Sequence, residues 1–274
     1  MSIRSKIQSL ITAANSTTGE SDTTLTDAVQ TLVDGYGQGG GGNEDAIISR
    51  SLSGSYTNSS VSAVGEDALR SCKHLTSVTF PAATTIGARA FTACTNLVTA
   101  SAPMATQIPQ GVFDGCSKLT AVDFPAATLI GAYAFQNCKA LVSAKFPPVA
   151  TVSGLAFTGC SSLSAVDFGV RVNFQGGSAF NNCSALSTLV LRGTTLSALS
   201  NVNVFNGTPF KSGGTGGTVY IPKALYDHLG DGSALDYKAA TNWSTVDGYG
   251  TITWAQIEGS IYETQYADGT PISS

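Results

Sequence analysis

Six cysteines stand at Cys72, Cys94, Cys116, Cys138, Cys160 and Cys183, separated by 22, 22, 22, 22 and 23 residues. A fixed period of this length constrains the fold more than any other feature of the chain, because it marks a stack of equivalent units. Other columns fall into register with the cysteines. Leu75, Leu97, Leu119, Leu141, Leu163 and Leu186 come first, followed by Val78, Ala100, Val122, Ala144, Val166 and Leu189. Phe80, Ala102, Phe124, Phe146, Phe168 and Leu191 are next, with Pro81, Pro103, Pro125 and Pro147 directly after the first four of them. Ile86, Ile108, Ile130 and Val152 form another column, and Phe91, Phe113, Phe135, Phe157 and Phe180 close each unit just before the next cysteine.

The alternation in Leu-x-x-Val-x-Phe predicts a short strand with one buried face. Proline directly after the strand ends its ladder and turns the chain. The Ala-Phe-x-x-Cys segment reads as a short helical turn lying back against the strand. One such unit cannot bury its apolar side alone, so the units must stack into a continuous core. The expected fold is an α/β repeat solenoid of about seven 22-residue coils, roughly 35 Å long at the spacing of parallel strands.

The line Cys116-Ser-Lys-Leu-Thr-Ala-Val-Asp-Phe-Pro-Ala-Ala-Thr-Leu-Ile-Gly-Ala-Tyr-Ala-Phe-Gln-Asn-Cys138 resembles the BspA-like (Treponema pallidum-type) leucine-rich repeat of bacterial surface proteins. The resemblance covers about residues 46 to 210. It implies a right-handed leucine-rich-repeat stack and a non-enzymatic role in recognition or adhesion, with a protein or glycan on a cell surface as partner.

Both ends depart from the repeat. Residues 46–69 read as an opening cap, in which Val64-Gly65 echoes the later Ile-Gly and Ala68-Leu69 replaces Ala-Phe. Val204-Phe205 is a last, loosened copy, and Val219-Tyr220-Ile221-Pro222 reads as a final strand. Tyr220, Tyr226, Tyr237, Trp243, Tyr249, Trp254 and Tyr262 gather behind it, as a capping core in preference to a saccharide-stacking platform. At the front, Ile3, Ile7, Leu10 and Ile11, then Leu25, Ala28, Val29, Leu32 and Val33, have helical spacing. Two such short helices need something to pack on. The expected organisation is a helical anchor or oligomerisation segment at 1–35, a Gly-rich linker at 36–43, the solenoid at 44–210, and a C-terminal cap and tail at 211–274. The segment Ser21-Asp-Thr-Thr-Leu-Thr-Asp-Ala-Val-Gln-Thr-Leu-Val-Asp-Gly35-Tyr is similar to segments opening phage and prophage structural proteins of Gram-positive bacteria. That similarity implies a virion partner or a homo-oligomer formed through residues 1–35.

Composition narrows the function classes. Only 12% of residues are charged and the 14 basic ones form no run, which argues against nucleic acid as a partner. No apolar stretch reaches the ~18 residues of a membrane span, so no membrane insertion is expected. The N-terminus lacks the apolar core of a secretory signal. The expected location is therefore a virion or an extracellular surface reached after lysis, following synthesis in the bacterial cytoplasm.

Chemistry-bearing patterns are few. The cysteines include no Cys-x-x-Cys pair, so neither a metal site nor a cofactor is expected; a ladder of buried free thiols is. Gly37 to Gly42 fits Gly-x-Gly-x-x-Gly but lacks the strand before it and the helix after it that a dinucleotide loop needs. His74 and His228 have no nucleophile that the sequence ties to them. The outward column of the repeat strand, Thr79, Ser101, Asp123, Lys145 and Asp167, is the candidate binding face. Asp123 and Asp167 also suggest a carboxylate pair for a polysaccharide-acting enzyme, but ~10 Å apart they are too distant for a retaining mechanism. A purely structural virion or decoration component is the remaining alternative to recognition.

Overall fold

The computed structural model describes residues 53–265, apart from 212, 249 and 264. The anchor at 1–35 and the linker at 36–43 lie outside the described residues. Every coil carries two short strands. The front strands are β1 (Ser53–Thr57), β3 (His74–Thr79), β5 (Thr99–Ser101), β7 (Ala121–Asp123), β9 (Ser143–Phe146), β11 (Ala165–Phe168) and β13 (Thr188–Leu191). The rear strands are β2 (Ala63–Val64), β4 (Thr85–Ile86), β6 (Gln107–Ile108), β8 (Leu129–Ile130), β10 (Thr151–Ser153), β12 (Asn173–Gln175) and β14 (Ala198–Leu199). All pair in parallel, and the register joins equivalent positions, Val78 to Ala100 to Val122 and Val166 to Leu189. The result is a parallel solenoid of seven coils, a leucine-rich-repeat stack. From Ser53 onward, the stretch read as an opening cap forms a repeat coil, with β1 on β3 and β2 on β4.

The segment expected to be a helical turn is not helical. Within it, Ala90 N–H bonds Gly87 O and Cys94 N–H bonds Phe91 O, each a four-residue turn. The third residues of these turns, Arg89 and Ala93, have φ of 58° and 62°. That is the left-handed position of a type II turn. The intervening N–H groups bond the next coil: Arg89 to Gln110 O, Phe91 to Val112 O and Ala93 to Asp114 O. A helix would spend those donors internally, four residues back. Here stacking uses them between coils, so the third side of the solenoid is also tied coil to coil.

The core is built from columns. Phe91, Phe113, Phe135, Phe157, Phe180 and Phe205 stack ring on ring, with centroids 5.0–5.7 Å apart and planes within 23° of parallel. Phe205, read as a loosened copy, completes this ladder at an interplanar angle of 3°. The cysteines form the adjoining column, all buried and with no disulfide among them. Each of the last five donates its thiol to a turn carbonyl of the preceding coil, as Cys116 Sγ does to Phe91 O at 3.1 Å and Cys160 Sγ to Phe135 O at 2.9 Å. A residue here must be small, apolar and a weak donor, which cysteine alone combines. Burial pushes the Cys116 thiol up to about 12 and holds Cys138 and Cys183 well above their ordinary value.

Beyond β13 the front sheet continues into β15 (Gly217–Ile221) and then β16 (Ile252–Gln256). The strand at Val219 is therefore not the last one. Between the two lie α1 (Lys223–Tyr226) and α2 (Trp243–Asp247), the described α-helices. Tyr237 and Trp243 are fully buried and close the end of the stack. The Tyr237 hydroxyl accepts from Ser197 N–H at 2.8 Å, and Trp243 Nε1 donates to Ser197 O at 2.7 Å.

Candidate functional site

Successive strand residues point to opposite faces, so burying Val78, Ala100 and Val166 inside turns the flanking positions outward. In the first coils these outward positions are open. Thr99 and Asp123 are exposed, and Ser77, Thr79 and Ser101 are half-buried. They link laterally: Thr99 Oγ1 donates to Ser77 Oγ at 3.0 Å, and Ser101 Oγ donates to Asp123 Oδ2 at 3.0 Å. The ladder register sets Thr79 beside Ser101 and Ser101 beside Asp123.

The front sheet is then interrupted. One ladder runs β1-β3-β5-β7 and a second runs β9-β11-β13-β15-β16, so Asp123 and Lys145 fall in different sheets. The rear ladder β6-β8-β10-β12-β14 passes this level unbroken. The predicted face is thus divided, with Thr79, Ser101 and Asp123 on one side and Lys145 with Asp167 on the other.

In the second half the same outward columns are covered. Asp167 is 0% exposed, Val190 is 0% exposed and Ala165 is buried. The cover is the chain's own segment 257–263 together with Gln265. Ile257 N–H bonds Ile221 O at 2.9 Å, and the Tyr262 ring meets Tyr220 edge-on at 4.6 Å. The Tyr262 hydroxyl, bonded to Thr188, is held above its ordinary value by burial and by its neighbour Tyr220. Arg192 fastens the layers: Nε and Nη2 bond the two Asp167 oxygens at 2.8 and 2.7 Å, Nη1 bonds Tyr262 O at 2.6 Å, and Nη2 also bonds Gln265 O at 2.8 Å.

Asp167 is therefore not part of an open binding face. A buried carboxylate committed to Arg192 is also no partner for Asp123, which removes the carboxylate pair on which the polysaccharide-cleaving reading rested. The sequence does not single out Arg192. Arg192 sits outside the strand's alternation, and nothing in the spacing announces the segment that covers it. Among the described residues, no group of three or more His, Cys, Asp or Glu is placed to hold a metal, and no helix is long and apolar enough to cross a membrane.

No curated protein matches the sequence. Solved structures that are similar include a leucine-rich repeat protein from Bacteroides ovatus, 21% identical with a TM-score of 0.49 over 74% of this chain. A T. pallidum leucine-rich repeat protein is 28% identical over 47% of the chain, with a TM-score of 0.44. A leucine-rich cell surface protein from Faecalibacterium prausnitzii is 22% identical over 62%, with a TM-score of 0.41. This chain spans 42%, 62% and 64% of the length of those proteins. Six copies of the BspA type leucine rich repeat region match residues 49–151 and 106–213, which together take in more than half of the 274 residues. The chain belongs to the BspA-type leucine-rich repeat family.

Proposed function

We propose that the chain is a non-enzymatic recognition protein that uses the open half of its front sheet, Ser77, Thr79, Thr99, Ser101 and Asp123, to engage a protein or glycan on a cell surface. The observation that carries this reading is the contrast between the two halves of one face. Where the columns are covered, they hold a segment of turns and one 3-10 helix, Ile261–Glu263, through hydroxyl and charged side chains. Where they are open, they present the same chemistry to solvent. Laterally repeated solenoid surfaces bind in this way.

In the same proposal, residues 1–35 anchor or oligomerise the chain, 36–43 tether it, 44–210 form the displayed solenoid and 211–274 close it. Location on a virion or a bacterial surface belongs to the proposal too, and its support is the resemblance of residues 21–36 to phage structural proteins. The test is titration of labelled full-length chain onto intact bacterial and host cells. Saturable binding, weakened by Ser101→Arg, is expected. Absence of saturable binding to every surface tried contradicts the proposal.

A further inference from the structure

The aromatic residues of the C-terminal cap divide into two groups. Tyr237 and Trp243 are fully buried. Trp254, on β16, lies against both, stacked on Tyr237 at 5.2 Å and tilted to Trp243 at 5.8 Å, yet it remains partly exposed. It lines a cleft of about 500 Å³ together with Tyr226, Lys238, Asp247 and Ile252. A volume of this size falls in the range of roughly 300–1,000 Å³ typical of small-ligand sites.

The aromatic wall is held in place. Trp254 Nε1 donates to Asp247 Oδ1 at 2.5 Å, which ties the indole of β16 to the end of α2 and fixes its orientation. An anchored aromatic plane with polar groups converging around it is the usual composition of a small-ligand site. The charges then narrow the ligand. Asp247 beside an indole would by itself favour an ammonium group over the ring. Lys238 on the cleft wall opposes a cation, and Asp247 opposes an anion. A ligand with no net charge offends neither group, and hydroxyls can donate to Asp247 and accept from Lys238 alike.

We propose that this cleft is a binding site for a neutral saccharide, whose ring stacks against Trp254 while its hydroxyls bond Asp247, Lys238 and the Tyr226 hydroxyl. The site lies at the end of the stack and is independent of the strand-face reading. It makes a second point of contact on a chain already built to display a surface.

The test uses full-length chain on an array of neutral, acidic and amine-bearing oligosaccharides, followed by titration of the strongest binder with tryptophan fluorescence as readout. The chain has two tryptophans, and Trp243 is sealed in the cap, so a saturable change reports on Trp254. Neutral saccharides should bind selectively. Trp254→Leu, checked for folding by circular dichroism, should weaken binding at least tenfold. Lys238→Glu, an exposed change that leaves the cap packing alone, should also weaken neutral binding and shift selectivity toward amine-bearing sugars. Gln175→Arg, exposed on the rear strand β12, should leave the titration unchanged. No binding of any neutral saccharide, preference for charged ones in the unmodified chain, or a titration indifferent to Lys238→Glu and to folded Trp254→Leu would each overturn the proposal.

Discussion

Arg192 grips both oxygens of Asp167, at 2.8 and 2.7 Å, although the two residues are on neighbouring coils and Asp167 has no exposed surface. The guanidinium also bonds the carbonyls of Tyr262 and Gln265 in the covering segment, so one side chain joins a strand, its neighbour and the layer above them. Removing one partner of such a pair takes away the two charge-assisted hydrogen bonds that offset the burial of the carboxylate. Arg192→Met should therefore cost about 3–5 kcal/mol of unfolding free energy. The double variant Arg192→Met with Asp167→Leu should recover most of that loss, because no charge is then stranded. Denaturant titration checks both values, and faster amide exchange across 257–265 should accompany either variant.

How much of this was readable from the sequence depends on what each feature requires. The cysteine and phenylalanine columns announce themselves because stacking demands the same side chain at the same depth in every coil. The tandem turns were harder to see, because Ala-Phe-x-x-Cys has apolar spacing that also fits a helix. The discriminating signal was present in Gly111, Gly115, Asn137, Gly159 and Asn182, all with positive φ and all residue types that tolerate it. Asp123 and Asp167 occupy the same column and differ in fate through a segment almost 100 residues further along the chain. No local pattern separates them.

The cysteine column gives a second prediction. Thiol titration of the native chain at pH 8 should detect essentially none of the six cysteines, and all six after denaturation. Because all six thiols are buried, raising the pH to 9 should not speed alkylation of the folded protein. Prompt labelling of native protein, or disulfide-linked cysteines, would show that the column is not sealed.

The turns give a third. Ala93 holds φ at 62°, where its counterparts in the next and third coils onward are Gly115 and Gly159. Ala93→Gly should stabilise the protein by about 0.5–1 kcal/mol, the relief of left-handed strain less the added freedom of the unfolded chain. Phe135→Ala, in the middle of the ring ladder, should cost about 3–5 kcal/mol. Equilibrium unfolding of the two variants side by side checks both signs.

Alkaline pH supplies a fourth. Burial raises the Tyr237 hydroxyl above its ordinary value. The folded state therefore keeps this proton after the unfolded state has released it. The resulting stability is complete below about pH 10, the ordinary tyrosine value, and is lost as pH rises beyond it. Unfolding free energies measured from pH 8 to 11 should decline over the upper part of that range, and Tyr237→Phe should flatten the decline.

The central claim is that recognition uses the open half of the front sheet. It is tested most directly by titrating full-length chain onto a cell surface it binds, in parallel with Ser101→Arg on that face and Gln175→Arg, an exposed change on the rear strand β12. The account predicts at least a tenfold rise in the half-saturating concentration for Ser101→Arg and no change for Gln175→Arg. Equal affinity for all three proteins, or a larger loss from the rear-face change, would contradict it.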